Sequence, residues 1–282
     1  MICHFLLKEA MKRPEIILPV FFLLCIDIAY PQEYNPDPRS MSRAGIVSIC
    51  LPGGPASENP ASFPETKEAA MGFYHAKPSL FSDLGMYALK LLVPSNNGSF
   101  RFEHMNYGIP GFRNMDWKLG YGMKNSNRIR SGIRFNYHHI ITDGAWNYLW
   151  ILGIDAGISF HINETTSAGL LLKQPVVINN YSSYRPMHPG SINLGLSISP
   201  YEKTFLTLES SFITDGHISC KGAIEYIFPG KLSACLGFHS HPYSFSSGIG
   251  YNAARYRLDA ACALSGMNGI SSAISITFFP AR

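Results

Sequence analysis

Two pairs of histidines are the residues whose type and spacing could hold a metal ion. His138 and His139 are adjacent, and His239 and His241 share one face of any extended segment. Zinc sites need three or four ligands, and too few further ligands of known proximity accompany either pair. We interpret these histidines as solvent-facing residues at strand ends, and we predict no metal and no other cofactor.

The sequence also contains no motif for nucleophilic catalysis or for phosphate binding. Ser, His and Asp residues occur, but no nucleophile-elbow sequence is present. No glycine-rich loop opens a helix in the way that phosphate binding requires. The cysteines Cys50, Cys220, Cys235 and Cys262 show no C-x-x-C spacing, and we interpret them as small apolar fillers. The protein is therefore predicted not to be an enzyme.

The charged residues follow a regular pattern along the chain. In the stretch "RYRLDAACAL" (255–264), Arg257 and Asp259 share one parity, and the bulky apolar residues share the other. Such alternation is typical of a β-strand with two unlike faces. Similar alternation recurs in the segments at 129–138 and 192–198. Charge is thus confined to one face of many strands.

The length and spacing of these strands indicate a membrane barrel. We count about fourteen segments, mostly of roughly nine to eleven residues, which is the length of a tilted bilayer-crossing strand. The connections alternate between short turns, such as 95–98 and 125–127, and longer loops, such as 106–114 and 174–190. Barrels have short turns on one rim and longer loops on the other. We predict an all-β fold, a transmembrane antiparallel β-barrel of about 14 strands; a soluble all-β protein with one wet face is the alternative.

Composition agrees with a barrel that keeps its polar side chains inside. Of the 282 residues, 46% are hydrophobic and 15% are charged, against roughly 25% charged in soluble proteins. The net charge of +4, without a basic run, is too small to suggest nucleic acid, and we predict no nucleic-acid partner. An arginine facing lipid at mid-bilayer costs about 2–4 kcal/mol, so the charges should face the lumen. By parity, the predicted lumen-facing residues are Arg101, Glu103, Arg130, Arg134, Asp155, Lys173, Glu209, Lys221, Glu225, Arg257 and Asp259.

The N-terminal residues have the features of a secretory signal. Lys8, Lys12 and Arg13 precede an apolar run from Ile16 to Ala29, which is too short to span a bilayer as a mature helix. We predict a signal peptide at residues 1–31, an N-terminal periplasmic or hatch segment at 32–66, and an outer-membrane barrel at 67–282. Export of this kind places the protein in the outer membrane of a Gram-negative bacterium.

Two stretches resemble a known family. The "NPAS" at 59–62, in a Gly/Pro-rich segment after the signal, resembles the N-terminal segment of the FadL-like outer-membrane β-barrels. The C-terminal run with "SFSSGIGY" and "YRLDAACAL" is similar to the PorV/PorQ-like proteins of Bacteroidetes within that superfamily. The resemblance implies a fourteen-stranded barrel with the N-terminal segment folded into the lumen as a short hatch. Asn59, Pro60 and Ala61 would then lie inside the barrel.

Two functions of different classes follow from the resemblance. The first is passive uptake or transport of a hydrophobic or amphipathic small molecule, which would bind behind the hatch. The second is a non-transporting partner or accessory of a secretion or surface-attachment system, such as type IX secretion, whose loops would dock a secreted or surface protein. The expected partners are outer-membrane lipid and either the small ligand or that protein. An outer-membrane lipase or acyltransferase is the enzymatic alternative.

Overall fold

The computed structural model describes residues 37–49, 57–78, 84–142, 148–180, 190–214, 216–266 and 269–280. Fourteen antiparallel strands close into a barrel in which neighbours in sequence are paired and the first strand pairs with the last. Closure is required in a bilayer because an open sheet edge leaves backbone groups that lipid cannot solvate. The predicted all-β barrel of about 14 strands is confirmed. The predicted signal peptide lies outside the described residues. Among those residues, no helix is long and apolar enough to cross a membrane.

The barrel strands are long, and two short helical turns precede them. The helical turns are α1 (Pro38–Ser42) and a 3-10 helix (Pro60–Glu65). The strands are β1 (Ala70–Pro78), β2 (Gly85–Ser95), β3 (Gly98–Ile109), β4 (Phe112–Lys124), β5 (Ile129–Thr142), β6 (Tyr148–His161), β7 (Thr166–Asn179), β8 (Ser191–Tyr201), β9 (Thr204–Ile213), β10 (Ile218–Ile227), β11 (Leu232–Ser240), β12 (Tyr243–Asn252), β13 (Tyr256–Ser265) and β14 (Gly269–Phe278).

The two rims of the barrel carry different connections. One rim, which we call the terminal rim, holds the start of β1, the end of β14 and connections such as 96–97 and 202–203. The opposite rim, the loop rim, holds the connection at 180–190. The prediction of a long loop at 106–114 is wrong, because β3 and β4 continue through it to a turn at Pro110 and Gly111. Gly111 has φ +86°, which lets the chain reverse within two residues.

The two faces of the wall differ as the alternation requires. On β13, Arg257 and Asp259 are buried, whereas Leu258 and Leu264 are 43% and 57% exposed. Large apolar side chains are exposed on the outward parity of every strand in this way, and polar side chains are buried on the inward parity. Because only lipid stabilises so much exposed apolar surface, the outer face is a membrane face.

A closed wall of this kind should resist unfolding by detergent. We expect the purified protein to migrate differently on a denaturing gel before and after boiling, because the paired strands of the closed sheet stay together until heated. The measurement is a heat-modifiability gel on the outer-membrane fraction. Recovery of the protein in the soluble periplasm, with a single band in both lanes, would rule out a membrane barrel.

The described N-terminal residues, 37–49 and 57–66, lie against the inner wall; we call them the N-terminal segment. Its α1 contacts β11 to β14, and its 3-10 helix contacts β3 to β6. Each helical turn begins with an N-cap followed by proline, which suits the first helical position. The Asp37 side chain accepts from the Arg39 backbone N–H at 2.9 Å, and the Asn59 side chain accepts from that of Ala61 at 2.9 Å. These caps let such short turns persist.

Candidate functional site

The N-terminal segment follows the inner wall around the barrel. It begins at β2, where Lys90 Nζ lies 2.9 Å from Asp37 Oδ2, and α1 then packs on β13 and β12. Arg43 pairs with Glu225 of β10, and Ser48 bonds to Glu209 of β9. From α1 onward, the segment thus contacts strands of decreasing number, from β13 and β12 to β10 and then β9. The lumen at this level is occupied by the protein's own residues.

The second half of the segment completes the circuit. The Asn59 side chain donates to the carbonyl of Leu170 in β7 at 3.1 Å and to that of Ser48 at 2.7 Å. Ala61 and Pro60, the other predicted hatch residues, are fully buried and lie beside β5 and β6. Asn59 therefore ties the two halves of the segment to each other and to the wall.

Arg134 is the central charge of the lumen. Its Nη1 donates to Glu58 Oε2 at 2.6 Å, and its Nη2 and Nε donate to Asp155 Oδ2 at 2.7 and 3.0 Å. Asp155 also accepts from the backbone N–H of Gln174 at 2.9 Å. Arg134 and Asp155 are 1% and 0% exposed. One guanidinium thus joins the segment to two strands, without access to water.

Glu58 lies beside several positively charged side chains of the wall. Besides Arg134, the ammonium groups of Lys90 and Lys118 lie 3.7 and 3.8 Å from its carboxylate oxygens. Burial by itself would raise the pKa of Glu58, but Arg134, Lys118 and Lys90 lower that pKa well below its usual range. Glu58 is therefore held as a carboxylate inside the barrel.

Glu209 forms a second anchor on the opposite side. Its Oε2 accepts from the backbone N–H groups of Val47 and Ser48 at 2.8 and 2.7 Å and from the Ser48 hydroxyl at 2.6 Å. Lys221 Nζ donates to Glu209 Oε1 at 2.9 Å and to the carbonyl of Gly45 at 2.8 Å. Lys173 lies close to both Glu209 and Lys221. Predicted lumen residues here hold backbone rather than an external ligand.

The remaining predicted lumen residues also meet partners within the barrel. Glu225 pairs with Arg43 and Arg39 of the segment. Arg257 bonds to Asp259 at 2.9 Å and to the Ser233 hydroxyl at 3.2 Å. Arg101 pairs with Glu103 and donates to the Ser57 carbonyl, and Arg130 pairs with Glu65 near the terminal rim. The structure thus assembles the separate strand charges into networks around one segment.

Glycines on the inner wall leave the space that the segment occupies. An added Cβ would lie 2.8 Å from Asn59 Cγ at Gly157, 2.7 Å from the Ala61 nitrogen at Gly132, and 2.7 Å from the Ala44 nitrogen at Gly237. Real Cβ atoms do not approach other atoms so closely. Similar close approaches occur at Gly169, Gly195 and Gly248. These glycines form a track on which the segment lies directly against the strands.

Two of the four histidines, His138 and His239, are not where the sequence placed them. His138 and His239 are 4% and 5% exposed on the inner wall, so the interpretation as solvent-facing residues is wrong. His138 Nδ1 lies 2.7 Å from Asp116 Oδ1, and its Nε2 lies 3.0 Å from Gln174 Nε2. Within the described part of the chain, no group of three or more His, Cys, Asp or Glu could hold a metal.

One part of the inner wall is apolar. Met41 of α1 packs against Met86, Ala76, Ala261 and Ala273, and Met105, Tyr107 and Ala263 border this cluster. These positions lie on the loop-rim side of α1, on β1, β2, β3, β13 and β14. Methionine adapts its shape to varied apolar neighbours. The methionine patch is therefore suited to contact apolar molecules of different shapes.

Several residues of this site were missed at the sequence level. Lys90 lies at an inward position of β2, and its parity in "YALKLL" would have placed it in the lumen. Arg39, Arg43, Asp37 and Glu58 gave no such signal, because they belong to an irregular segment without period. Only the wall that surrounds them reveals their role.

The barrel resembles solved outer-membrane channels. The CymD monoaromatic hydrocarbon channel matches with a TM-score of 0.65 at 12% identity, covering 90% of this chain and 100% of that chain. A Pseudomonas aeruginosa FadL homologue matches with a TM-score of 0.62 at 10% identity, covering 86% and 98%. The Pseudomonas putida toluene transporter TodX matches with a TM-score of 0.58 at 10% identity, covering 89% and 98%. No protein-family model and no curated protein sequence matches the chain.

These likenesses define the class of the fold. The chain is a closed fourteen-stranded β-barrel with a FadL-like fold, similar in architecture to hydrocarbon channels. At such low identities the likeness concerns the fold alone.

Proposed function

We propose that the protein is an outer-membrane channel for passive uptake of small hydrophobic or amphipathic molecules, with the N-terminal segment as its hatch. The methionine patch is the observation that carries this proposal. Met41, Met86 and Met105 offer an apolar contact surface inside a lumen that also holds the charge networks of Arg134 and Glu209. The neighbours named as a hydrocarbon channel and a toluene transporter make monoaromatic hydrocarbons the first substrate class to test.

The proposed path requires α1 to move. Met41 fills the space next to Ala76 and Ala273, so an apolar molecule that enters from the loop rim must displace it. The apolar contacts of Met41 can be exchanged for contacts with a ligand at little cost. The ion pairs of Asp37 with Lys90 and of Arg43 with Glu225 hold the two ends of α1. We therefore place the movement at the Met41 side chain and the turn that carries it, between these two fixed ends.

Tying α1 to the wall tests this path. Cys235 Sγ lies 3.4 Å from the carbonyl oxygen of Ser42, so the thiol of Ser42→Cys lies close enough to the native Cys235 for oxidation with a short bis-thiosulfonate reagent to join the two through disulfides. We expect cells producing the oxidised variant to take up radiolabelled toluene at the rate of cells without the barrel. Reduction should restore the wild-type rate, because the cysteine differs from serine by one atom.

The matched control is Ser42→Cys combined with Cys235→Ala, which carries the same change in α1 but has no partner on β11. This control should transport under oxidising and reducing conditions alike. The proposal fails if wild-type cells take up toluene no faster than cells without the barrel. If the oxidised variant still transports at the wild-type rate, α1 does not move during transport.

A second candidate is the partner role in a secretion or surface-attachment system, as in the PorV/PorQ-like proteins. The observation that favours it is the lumen layer of paired charges, in which Arg134 and Glu209 bind the protein's own segment. The residues at 181–184, where a docking loop was expected, lie outside the described residues. Deleting the gene and measuring surface display of exported proteins distinguishes the two: loss of display with unchanged toluene uptake would favour the partner role.

A further inference from the structure

The outer face of the wall carries a long apolar groove. It lies between two rows of outward side chains that run from β12 to β3 across five inter-strand spacings, which amounts to about 24 Å. The first row is Tyr251, Leu258, Ile276, Phe73, Leu89 and His104. The second row is Ile249, Ala260, Ile274, His75, Tyr87 and Asn106.

The shape of the groove suits one extended hydrocarbon chain. The two rows are two residues apart on each strand, which is about 7 Å. The hollow has a volume of about 880 Å³, and its lining side chains are largely apolar from Tyr251 to Leu89. At Ala260 the second row has only a methyl group, so the groove stays open where it crosses β13.

Polar groups are concentrated at the β3 end of the groove. His75, His104 and Asn106 all lie there, and the buried Nδ1 atoms of both histidines have no hydrogen-bond partner among the described residues. A neutral imidazole carries one N–H donor, so each of these rings can offer a hydrogen bond to an ester carbonyl. A molecule in the groove would therefore have its polar end near β3.

A second hollow continues from this end to the loop rim. It has a volume of about 490 Å³, shares Tyr87 and Asn106 with the groove, and is also lined by Tyr107 and Arg113. Its described lining includes one positive charge, at Arg113, and no acidic side chain. Such a hollow attracts a negatively charged head group.

We propose that the groove and rim hollow form a lipid-binding site for one acyl chain of an anionic, phosphate-bearing membrane lipid. The acyl chain lies between the two rows, its ester group meets His75 and His104, and its phosphate faces Arg113. The site is on the lipid-facing surface, outside the lumen. It therefore stands or falls independently of the proposed uptake function.

Lipid retention in native mass spectrometry tests the site. The protein would be extracted in mild detergent and incubated with mixed micelles containing equal amounts of phosphatidylglycerol and phosphatidylcholine. We expect the wild type to retain one phosphatidylglycerol. Ala260→Phe fills the groove where it crosses β13 and should reduce the lipid-bound fraction at least about tenfold, because the added ring clashes with a bound chain.

The matched control is Ala168→Phe, the same change at a lipid-facing alanine on β7 outside the groove. This variant should retain lipid like the wild type. Arg113→Gln should keep a lipid but lose the preference for phosphatidylglycerol over phosphatidylcholine. Equal retention by Ala260→Phe and Ala168→Phe would overturn the proposal. A dimer of the chain, lost on Ala260→Phe, would instead assign the groove to a second copy and would equally overturn the lipid site.

Discussion

Arg134→Met is expected to release the 3-10 helix from the wall and open the lumen to ions. The change leaves Asp155 and Glu58 buried without the guanidinium that bridges them. Removing one partner of a buried ion pair costs about 3–5 kcal/mol, because the remaining charge is left unsolvated. Entry of water and displacement of the segment would solvate these two carboxylates most readily, because neither change breaks the strand hydrogen bonds of the wall.

Conductance in planar bilayers measures this opening, and urea unfolding measures the stability loss. We expect a higher conductance than that of the wild type and a lower urea midpoint, with heat modifiability retained. Arg128→Met is the matched control, since Arg128 is exposed in the turn between β4 and β5. It should change neither quantity.

A companion variant keeps the test decisive if Arg134→Met fails to fold. Combining Arg134→Met with Asp155→Asn removes the charge of Asp155 as well, while Glu58 keeps Lys90 and Lys118 as charge partners. Buried sites without unpaired charge lose far less stability, so this variant should fold and recover much of the urea midpoint. Unchanged conductance and an unchanged midpoint for Arg134→Met alone would show that the guanidinium does not hold the segment.

Gly157→Val should displace the N-terminal segment through a steric effect alone. A Cβ at this position would lie 2.8 Å from Asn59 Cγ and 3.2 Å from Pro60 Cδ. Valine is a better strand residue than glycine, so the substitution by itself favours β6. Any loss of protection against proteolysis must therefore arise where the segment contacts the wall. Overpacking of this kind costs about 1–3 kcal/mol.

Limited trypsin digestion measures the displacement. Arg39 and Arg43 are 5% and 4% exposed, so trypsin should cleave neither in the wild type and should cleave both in Gly157→Val. Gly222→Val is the matched control, because a Cβ there meets only Leu208 Cδ2 at 3.4 Å, which is ordinary contact. Equal trypsin resistance of all three proteins would show that the glycine track does not determine the segment's position.

Particular elements show why the wall could be predicted from sequence. In β13, Arg257 and Asp259 alternate with Leu258 and Leu264, and the observed burial follows that parity. The rule needs only the period of a strand and the cost of charge in lipid, which are both local properties. The predicted loop at 106–114 failed because glycine and proline in "NYGIPGFRN" indicate a turn but not its length. In the structure, β3 and β4 pair along most of that stretch.

The sequence by itself indicated about fourteen strands, the length that crosses a bilayer and the inward face of charges such as Arg257 and Asp259. Only the tertiary structure decided which charge meets which partner. Arg43 and Glu225 are 182 positions apart, and the groove rows join residues from β12 through β3. Such pairings depend on barrel closure, on the register between strands and on an irregular segment packed inside. The alternation of residues along the chain does not predict these pairings, because each pairing joins distant parts of the sequence.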